Sequence, residues 1–256
     1  TIIAGAGDNA AAAIGTGAVG NGTSNISIGT SGTVFVSSDI FNPDRSGGIH
    51  SFCHADGHYH QMGCILSAAS CTKWWMDNII CSDDNDVEQF GMEELLGKNE
   101  IIFLPYMMGE RSPHNDVNAK SLFIGMRPDT TKKEMLLAIF EGVAFAIKDC
   151  IEAIRANGIE VKNSTICGGG AKSEVWKTIF ANILGLEIQT VETEQGPGYG
   201  AAILAMVANG EYESINMAIQ NIIKPKETIK PEANIVSDYH KKYQTYKKLY
   251  PVLKDL

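Results

Sequence analysis

The chain has 256 residues, of which 44% are hydrophobic and 20% are charged, and this balance is typical of a protein that buries a large core. Its 30 acidic and 21 basic residues give a net charge of −9, which argues against a nucleic-acid-binding protein, because phosphate-backbone affinity depends on clustered lysine and arginine. No apolar run approaches the roughly 20 residues that cross a bilayer, and no signal peptide is recognisable, so we expect a cytoplasmic protein without membrane contact.

The six cysteines form no C-x-x-C pair and no compact disulfide framework. In a chain of this length we expect them to be reduced and mostly buried thiols. The first residue is Thr1 rather than methionine, and the sequence begins close to a glycine-rich motif. We therefore expect a further portion of the protein to precede it.

The first motif, residues 4–17, places a single acid, Asp8, among glycines and alanines. An aspartate before a run of alanines is a natural helix N-cap, and the spacing alone favours this interpretation over catalysis. A turn residue is a third interpretation of Asp8.

Two β-hairpins are predicted next. Two β-rich runs from residue 25 are separated by Gly-Thr-Ser-Gly, and Asp56-Gly57 separates two further alternating runs. Antiparallel strands therefore lead the fold. Four histidines crowd the second hairpin, and we favour a packing role over a zinc site because Cys53 alternates to the opposite face of the strand. These histidines are His50, His54, His58 and His60.

The middle of the chain predicts helix over residues 67–79, an acidic surface segment over 82–97 and a strand from residue 101 that ends in a polar loop. In this loop Glu110 and Arg111 either pair with each other or contact substrate. A long helix follows Pro128, with Asp129 and Thr130 as candidate N-caps and Gly158 as the stop.

Two strand–turn–helix units come last, with glycine-rich turns at residues 168–170 and 196–200, and a terminal amphipathic helix is predicted from about Tyr239. Tyrosines 243, 246 and 250 have the spacing of a packing stripe. The order of elements indicates one α/β domain.

Three glycine-rich turns are candidate ligand sites. In residues 29–32, backbone N–H groups and the hydroxyls of Thr30 and Ser31 could donate to phosphate oxygens. Residues 168–170 allow close approach of a planar ligand, and a helix follows them. None of the turns matches a P-loop or a dinucleotide fingerprint.

Several motifs in a fixed order resemble the C-terminal lobe of the FGGY family of carbohydrate kinases, most of all the members that phosphorylate xylulose. They span roughly residues 3–210 and include AGAGDNAAAAIGTG, FCHADGHYHQMG, LPYMMGERSPHND, ICGGGAKSEVWKTIFANILG and EQGPGYGAAILA. The resemblance implies an actin-like ATPase (ribonuclease H-like) lobe, which is a mixed β-sheet with helices on its faces. It also implies that residues 1–256 are the nucleotide-binding lobe of an enzyme about twice as long.

The resemblance implies ATP-dependent phosphorylation of a ketose hydroxyl, with D-xylulose to D-xylulose 5-phosphate as the first expectation. Another ketose or polyol is an alternative substrate, and a non-catalytic actin-like nucleotide-binding module is an alternative function. The family's first phosphate hairpin, an Asp-x-Gly-Thr motif, is missing from these residues, as is the N-terminal sugar-binding lobe. We therefore expect the isolated chain to be nearly inactive, and a homodimer is a further expectation.

The family's site residues map onto matching motifs here. Asp8 falls on the catalytic acid, which the resemblance favours over the capping role, and Asn9 would orient the sugar or the base. Trp176 follows the adenosine motif and could pack near the base. Mg²⁺ is expected to arrive with ATP, held by phosphates and waters with few protein ligands. The expected ATP contacts are Gly29, Thr30, Ser31, Gly32, Gly125, Gly169, Gly170, Ser173 and Glu174.

Overall fold

The computed structural model describes residues 2–80, 90–193 and 196–255. Seven strands of this part of the chain form one sheet in the order β3-β4-β2-β1-β7-β8-β9, and β5 and β6 form a separate antiparallel pair. The strands are β1 (Thr23–Ile28), β2 (Gly32–Ser38), β3 (His50–Cys53), β4 (Tyr59–Ile65), β5 (Ile102–Leu104), β6 (Leu122–Ile124), β7 (Asn163–Cys167), β8 (Ile188–Val191) and β9 (Pro225–Ile229).

Helices cover both faces of the large sheet. A single turn of 3₁₀-helix, Gly169–Lys172, follows β7, and a π-helical turn, Met76–Ile80, extends the second helix. The helices are α1 (Asp8–Thr16), α2 (Ala69–Trp75), α3 (Lys132–Ala156), α4 (Glu174–Leu184), α5 (Gly196–Ala208), α6 (Ile215–Ile222) and α7 (Ala233–Leu253). None of the helices in the described ranges is long and apolar enough to span a membrane.

The sheet is mixed. Strands β1 to β4 pair antiparallel, β1 pairs parallel with β7, β7 pairs parallel with β8, and β9 returns antiparallel. Both predicted hairpins are confirmed, because β1 pairs with β2 and β3 pairs with β4. The mixed sheet with helices on its faces is therefore the expected architecture.

Strand alternation separates two kinds of surface on β1 and β2. Ile26, Ile28 and Val34 belong to the main core, together with α3, α4 and α7. Phe35 points to the other face and packs against Ala10 and Ala13 of α1. Because side chains alternate along a strand, Asn25 and Ser27 of β1 share the face that α1 covers.

Helix α3 is the central helix of the core, and every residue from Leu136 to Ile147 is buried. Its predicted N-caps, Asp129 and Thr130, are wrong, since the cap is Thr131. The Thr131 hydroxyl accepts a hydrogen bond from the Glu134 N–H (3.2 Å), and the Glu134 carboxylate accepts one from the Thr131 N–H (2.8 Å). This reciprocal capping box satisfies two donors and fixes the start of the helix.

The C-terminal helix starts at Ala233, six residues before the predicted start. The backbone N–H of Glu232 donates to Asn182 Oδ1 (2.7 Å) and so holds the chain at this point.

The tyrosine stripe is confirmed as packing: Tyr243 and Tyr246 are buried against Phe145. Strands β6 and β9 and helix α6 were not predicted.

An ion pair ties this last helix to the core. Lys242 Nζ pairs with the buried carboxylate of Glu141 in α3 and donates to the carbonyl of Asn99 (2.7 Å). Half of the acidic segment predicted at 82–97, residues 82–89, lies outside the described residues. None of the five described cysteines forms a disulfide, and Cys64, Cys71 and Cys150 are buried.

Candidate active site

Asp8 is the first residue of α1, and its side chain is exposed. The cap position belongs to Gly7, and the helix has no side-chain capping bond, so the capping interpretation of Asp8 is wrong. Asp8 Oδ1 accepts hydrogen bonds from the Asn9 backbone (2.8 Å) and from Asn9 Nδ2 (3.3 Å). No described residue donates to Oδ2, so one carboxylate oxygen is open to a ligand.

Small residues are needed around Asp8 for two different structural reasons. Gly5 and Gly7 face open space, with no atom within 4 Å of a Cβ placed on either of them. Within α1, in contrast, Gly15 meets α5, where an added Cβ would lie 3.1 Å from Gly200 N, and a Cβ on Gly200 would overlap the Ala11 carbonyl. The motif therefore leaves room beside the acid and also lets α1 lie directly against α5.

A cavity of about 370 Å³, which we call the central cavity, opens beside Asp8. Helix α1 forms one wall, the sheet forms its floor, and the first turn of α5 closes the opposite side. It is lined by Asp8, Asn9, Ala12, Gly15, Thr16, Asn25, Ser27, Thr33, Phe35, Cys167, Gly168, Thr193, Gly196 and Pro197.

Ser27 and Thr33 are polar groups in this cavity that the sequence analysis missed. They are cross-strand partners at the base of the β1–β2 turn. Asn25 lies two residues before Ser27 and lines the cavity as well. The strand period of two could have identified these positions, because they alternate with the core residues Ile26 and Ile28.

The tip of the β1–β2 hairpin, residues 29–32, is held by the start of α2. The Thr30 carbonyl accepts hydrogen bonds from the backbone of Ala68 (2.9 Å) and Ser70 (3.3 Å), while the side chains of Thr30 and Ser31 are exposed. The Gly29 N–H donates to the Ser31 carbonyl (2.9 Å) within the turn, so this predicted phosphate donor already has a partner. Gly32 has no room for a side chain, because a Cβ would lie 2.9 Å from Ile65.

A second cavity of about 310 Å³, the side cavity, lies between α2 and the turn after β7. The predicted residues Gly169, Gly170 and Ser173 line it together with Trp176 and Phe140. The remaining lining residues come from α2 and the turn that follows it: Ala69, Thr72, Lys73 and Met76.

The two glycines of this cavity differ in role. Gly169 faces open space, whereas a Cβ on Gly170 would overlap the side chain of Ile28 and approach the Trp176 ring to 2.9 Å. Close approach of a ligand is therefore possible over Gly169, while Gly170 is required for packing. The Trp176 ring stacks on Phe140 (4.6 Å between centroids), and its Nε1 donates to the Phe140 carbonyl (3.2 Å).

Three of the predicted residues have further or different contacts. Ser173 caps α4 by accepting from the Trp176 N–H (3.2 Å). Glu174 does not line the side cavity but pairs with Lys177 (2.8 Å). Gly125 lines neither the central nor the side cavity, and a Cβ there would lie 3.0 Å from the Glu100 carbonyl.

Glu110 is buried beneath the loop that follows β5. Its Oε1 accepts hydrogen bonds from the backbone N–H groups of Arg111 (2.7 Å) and Leu66 (3.0 Å), while the Arg111 guanidinium lies 3.6 Å from Cys64 Sγ. The bracing role predicted for Glu110 is thus performed through backbone groups rather than through an ion pair with Arg111. Burial raises the pKa of this carboxyl to about 7.

Three of the four histidines of the second hairpin pack against aromatic rings. His60 stacks on Phe35 with 4.0 Å between ring centroids, and His54 Nε2 lies 3.2 Å from the Ala18 carbonyl. Within residues 2–80, 90–193 and 196–255, no group of three or more His, Cys, Asp or Glu side chains is placed to hold a metal ion.

Comparison with known proteins decides the family. Residues 24–209, more than half of the chain, match the model of the FGGY family of carbohydrate kinases, C-terminal domain. The chain belongs to this FGGY family. The resemblance predicted from the motifs is therefore confirmed.

Curated relatives of this FGGY chain include two xylulose kinases. The chain is 35% identical over 255 residues to the xylulose kinase of Escherichia coli, covering 98% of the chain and 52% of the relative. It is 33% identical over 257 residues to the xylulose kinase of Bacillus subtilis, covering 100% and 52%. The chain thus spans about half the length of the curated relatives it matches.

Solved structures agree with the predicted fold. A xyloylose kinase from Brucella ovis superposes with a TM-score of 0.91 at 36% identity, covering 98% of this chain and 52% of that one. A Plasmodium falciparum glycerol kinase with ADP superposes with a TM-score of 0.85 at 20% identity, covering 96% and 50%, and at that identity only the fold is informative. The FGGY chain has the actin-like ATPase fold that the motifs implied.

Proposed function

We propose that this chain is the nucleotide-binding lobe of an ATP-dependent sugar kinase. The reaction is transfer of the γ-phosphoryl group of MgATP to a hydroxyl of a ketose, with D-xylulose as the first substrate to test. The observation that carries the proposal is the exposed carboxylate of Asp8, which lies at the rim of a cavity between glycine-rich turns. The xylulose kinases among the relatives support the choice of sugar.

Asp8 is the proposed general base. A kinase needs a group that removes the proton from the attacking hydroxyl, and a carboxylate with one unpartnered oxygen meets that need. Asn9 holds the other oxygen through two hydrogen bonds and so orients the carboxylate. The open space at Gly5 and Gly7 leaves room for a sugar beside the acid.

The two cavities fit the two ends of ATP. The side cavity offers an open backbone at Gly169 and buried aromatic rings, which suit a flat adenine base. The central cavity offers the hydroxyls of Ser27 and Thr33, with those of Thr30 and Ser31 at the adjoining turn, for phosphate oxygens. Ser173, the N-cap of α4, lines the side cavity, so the N-terminal dipole of this helix would favour an anion at that cavity.

The donor set also fits a magnesium ion that arrives with the nucleotide. Asp8 is the one carboxylate among the described residues that line the central cavity, and because its free oxygen is assigned to the base, phosphates and waters would supply most of the ligands. Mg²⁺ usually retains several waters and binds substrate phosphates with one or two carboxylates, so no preformed cage is needed. When bound, the ion neutralises charge on the transferring phosphoryl group.

The chain supplies one wall of the site and needs a second lobe to close it. Because the relatives are about twice as long, we propose that an N-terminal lobe provides the rest of the sugar and phosphate contacts. The isolated chain would then bind MgATP weakly and turn over slowly. A homodimer and a cytoplasmic location remain predictions.

ADP release by the full-length protein tests this function. We expect turnover with D-xylulose, and we expect Asp8→Asn to lower kcat by about 100-fold to 10,000-fold, the range for loss of a general base. Asp39→Asn is the matched control, because Asp39 is an exposed aspartate outside both cavities and should leave kcat unchanged.

Other outcomes have distinct meanings. Turnover with ribulose, gluconate or glycerol but not xylulose would retain Asp8 as the base and change the substrate. ATP hydrolysis that is independent of sugar and insensitive to Asp8→Asn would contradict the kinase proposal and favour a non-catalytic nucleotide-binding module.

A further inference from the structure

A third cavity lies between the last turns of α7 and the β5–β6 pair, and we call it the α7 cavity. Its volume is about 240 Å³. Among the described residues it shares no lining residue with the central cavity or the side cavity, so it is separate from the proposed active site. It is lined by Leu104, Tyr106, Asn118, Ala119, Lys120, Ser121, Leu122, Tyr250, Leu253 and Lys254.

Two opposite sides of the α7 cavity are largely apolar. Leu104 and Leu122 are cross-strand partners in the β5–β6 pair and form one side. Tyr250 and Leu253 form the other side, because their spacing of three residues places both on one face of α7. A dry apolar cavity of about 150 Å³ is large enough to bind benzene. The α7 cavity therefore has room for a single ring with a small substituent.

Two tyrosine rings give this cavity a fixed shape. Tyr106 is 2% exposed, and its hydroxyl lies 3.0 Å from His114 Nε2 and 3.3 Å from the Tyr246 hydroxyl. The Tyr250 ring stands edge-on to Tyr106 with 5.8 Å between centroids, and its hydroxyl donates to Asp116 Oδ2 (2.8 Å). These hydroxyl partners do not line the cavity, so the tyrosines contribute mainly ring carbons to its wall. Such rings favour an aromatic ligand, because aromatic pairs gain more than their buried area alone provides.

The polar groups of the α7 cavity favour an anion. Lys120 and Lys254 are both exposed, and they are the two charged groups among its described lining residues. Ser121 adds a hydroxyl oxygen that is buried and has no hydrogen-bond partner in the described part of the chain. A buried hydroxyl without a partner lowers stability, and a ligand that accepts its proton in a hydrogen bond removes this cost. A carboxylate can accept from a hydroxyl and from ammonium groups at the same time.

We propose that the α7 cavity is a binding site for a small aromatic carboxylate. The ring packs between the tyrosines and the leucines, and the carboxylate accepts hydrogen bonds from Ser121 and the two lysines. Because both lysines are exposed, the carboxylate stays close to water and its charge is not fully desolvated. The proposal is independent of the kinase function, since the cavity contains neither Asp8 nor a glycine-rich turn.

Calorimetric titration of the full-length protein with benzoate is the first test. We expect a Kd of about 1 mM or lower, in line with the size of this ligand. Benzamide has nearly the same shape without the charge, and we expect it to bind at least about tenfold more weakly. Saturating MgATP should leave the benzoate Kd unchanged, because the nucleotide cavities are separate.

The two lysines are tested together. Lys120→Gln/Lys254→Gln should weaken benzoate binding about tenfold, because each exposed cation contributes only modestly. The affinity for benzamide should not change. Lys248→Gln is the matched control, since Lys248 is an exposed lysine of the same helix that does not line the cavity.

Ser121→Ala separates a ligand-binding role of the hydroxyl from a structural one. Removing a buried hydroxyl that has no partner should raise the melting temperature of the ligand-free protein slightly, and it should weaken benzoate binding about threefold. A lower melting temperature with an unchanged benzoate Kd would mean that the hydroxyl serves folding only, and it would remove Ser121 from the site.

Three results would overturn the proposal. The first is no detectable binding of benzoate up to about 10 mM. The second is equal affinity for benzoate and benzamide, which would show that the cavity does not select an anion. The third is displacement of benzoate by MgATP with no effect of the lysine replacements, which would place the ligand in the nucleotide cavities instead.

Discussion

At the scale of single residues, the buried carboxyl of Glu110 lies in an unusual environment for an acidic group. Its Oε1 accepts two backbone hydrogen bonds, but its Oε2 is buried with no partner in the described part of the chain. Removal from water disfavours the charged form, and this is why its pKa rises to about 7. Since the folded protein holds this proton more tightly than the unfolded chain, the stability contribution is lost as pH rises from about 4.5 through about 7.

Glu110→Gln should remove this pH dependence. The amide keeps the Oε1 acceptor and carries no charge. We therefore expect the melting temperature of the variant, relative to that of the wild type, to increase as pH rises from 5 to 8. Thermal unfolding of both proteins across this range measures the difference and cancels the other titrating groups. A constant difference across the range would mean that Glu110 does not change ionisation there.

At the scale of elements, the contact between α1 and α5 decides where Asp8 lies. Gly200→Ala would place a Cβ on the Ala11 carbonyl and push the two helices apart. We expect a loss of about 1–3 kcal/mol in the free energy of unfolding, measured with urea, as for other overpacked contacts. The matched control is Gly198→Ala in the same helix, where a Cβ meets no atom within 4 Å and helix propensity should increase stability slightly.

Activity adds a second test of this contact. If α5 positions the base, Gly200→Ala should lower kcat in the full-length protein while Gly198→Ala should not. A Gly200→Ala protein with normal stability and normal kcat would contradict the importance of the close approach.

Helices and strands were predicted correctly from the sequence where one local sequence signal specifies them. The β1–β2 and β3–β4 hairpins have turn residues between alternating runs, and α3 has a long apolar stripe, so each was found. The exposed strand β9 depends on its pairing with β8, whereas helix α6 has a local signal that was missed, the Ser214 hydroxyl that accepts a hydrogen bond from the Met217 N–H. The predicted N-cap of α3 was wrong because two neighbouring residues could also cap, and only the reciprocal bond with Glu134 selects Thr131.

The site was predicted only in part, for a related reason. Asp8 and the residues of the glycine-rich turns were recognisable as motifs. Ser27 and Thr33 look like ordinary strand residues, and their position beside Asp8 depends on how α1 crosses the sheet. Glu174 was assigned to the adenosine group by its motif, yet its side chain is directed to Lys177.

At the scale of the whole molecule, the last helix is fastened to the core by the buried Glu141–Lys242 pair. Lys242→Met would leave the Glu141 charge buried without its partner, so we expect a loss of about 3–5 kcal/mol in the free energy of unfolding. Lys241→Met is the matched control, because Lys241 makes only an exposed ion pair with Asp238. Urea unfolding measures both variants.

The double variant Glu141→Leu/Lys242→Met tests whether the loss of stability comes from the unpaired charge. Replacing both charges by apolar groups should recover most of the lost stability, since the cost comes from an unpaired charge. A double variant as unstable as Lys242→Met alone would show that packing, not charge, holds this helix.

The parallel pairing of β1 with β7 has a consequence for synthesis of the protein. Thr23 lies opposite Asn163, so the centre of the sheet joins segments about 140 residues apart. Until β7 has left the ribosome, the first four strands form a sheet whose edge is β1, with its backbone groups open to other chains. The nascent chain is therefore most prone to aggregate in this interval, and chaperones would be expected to act on it then.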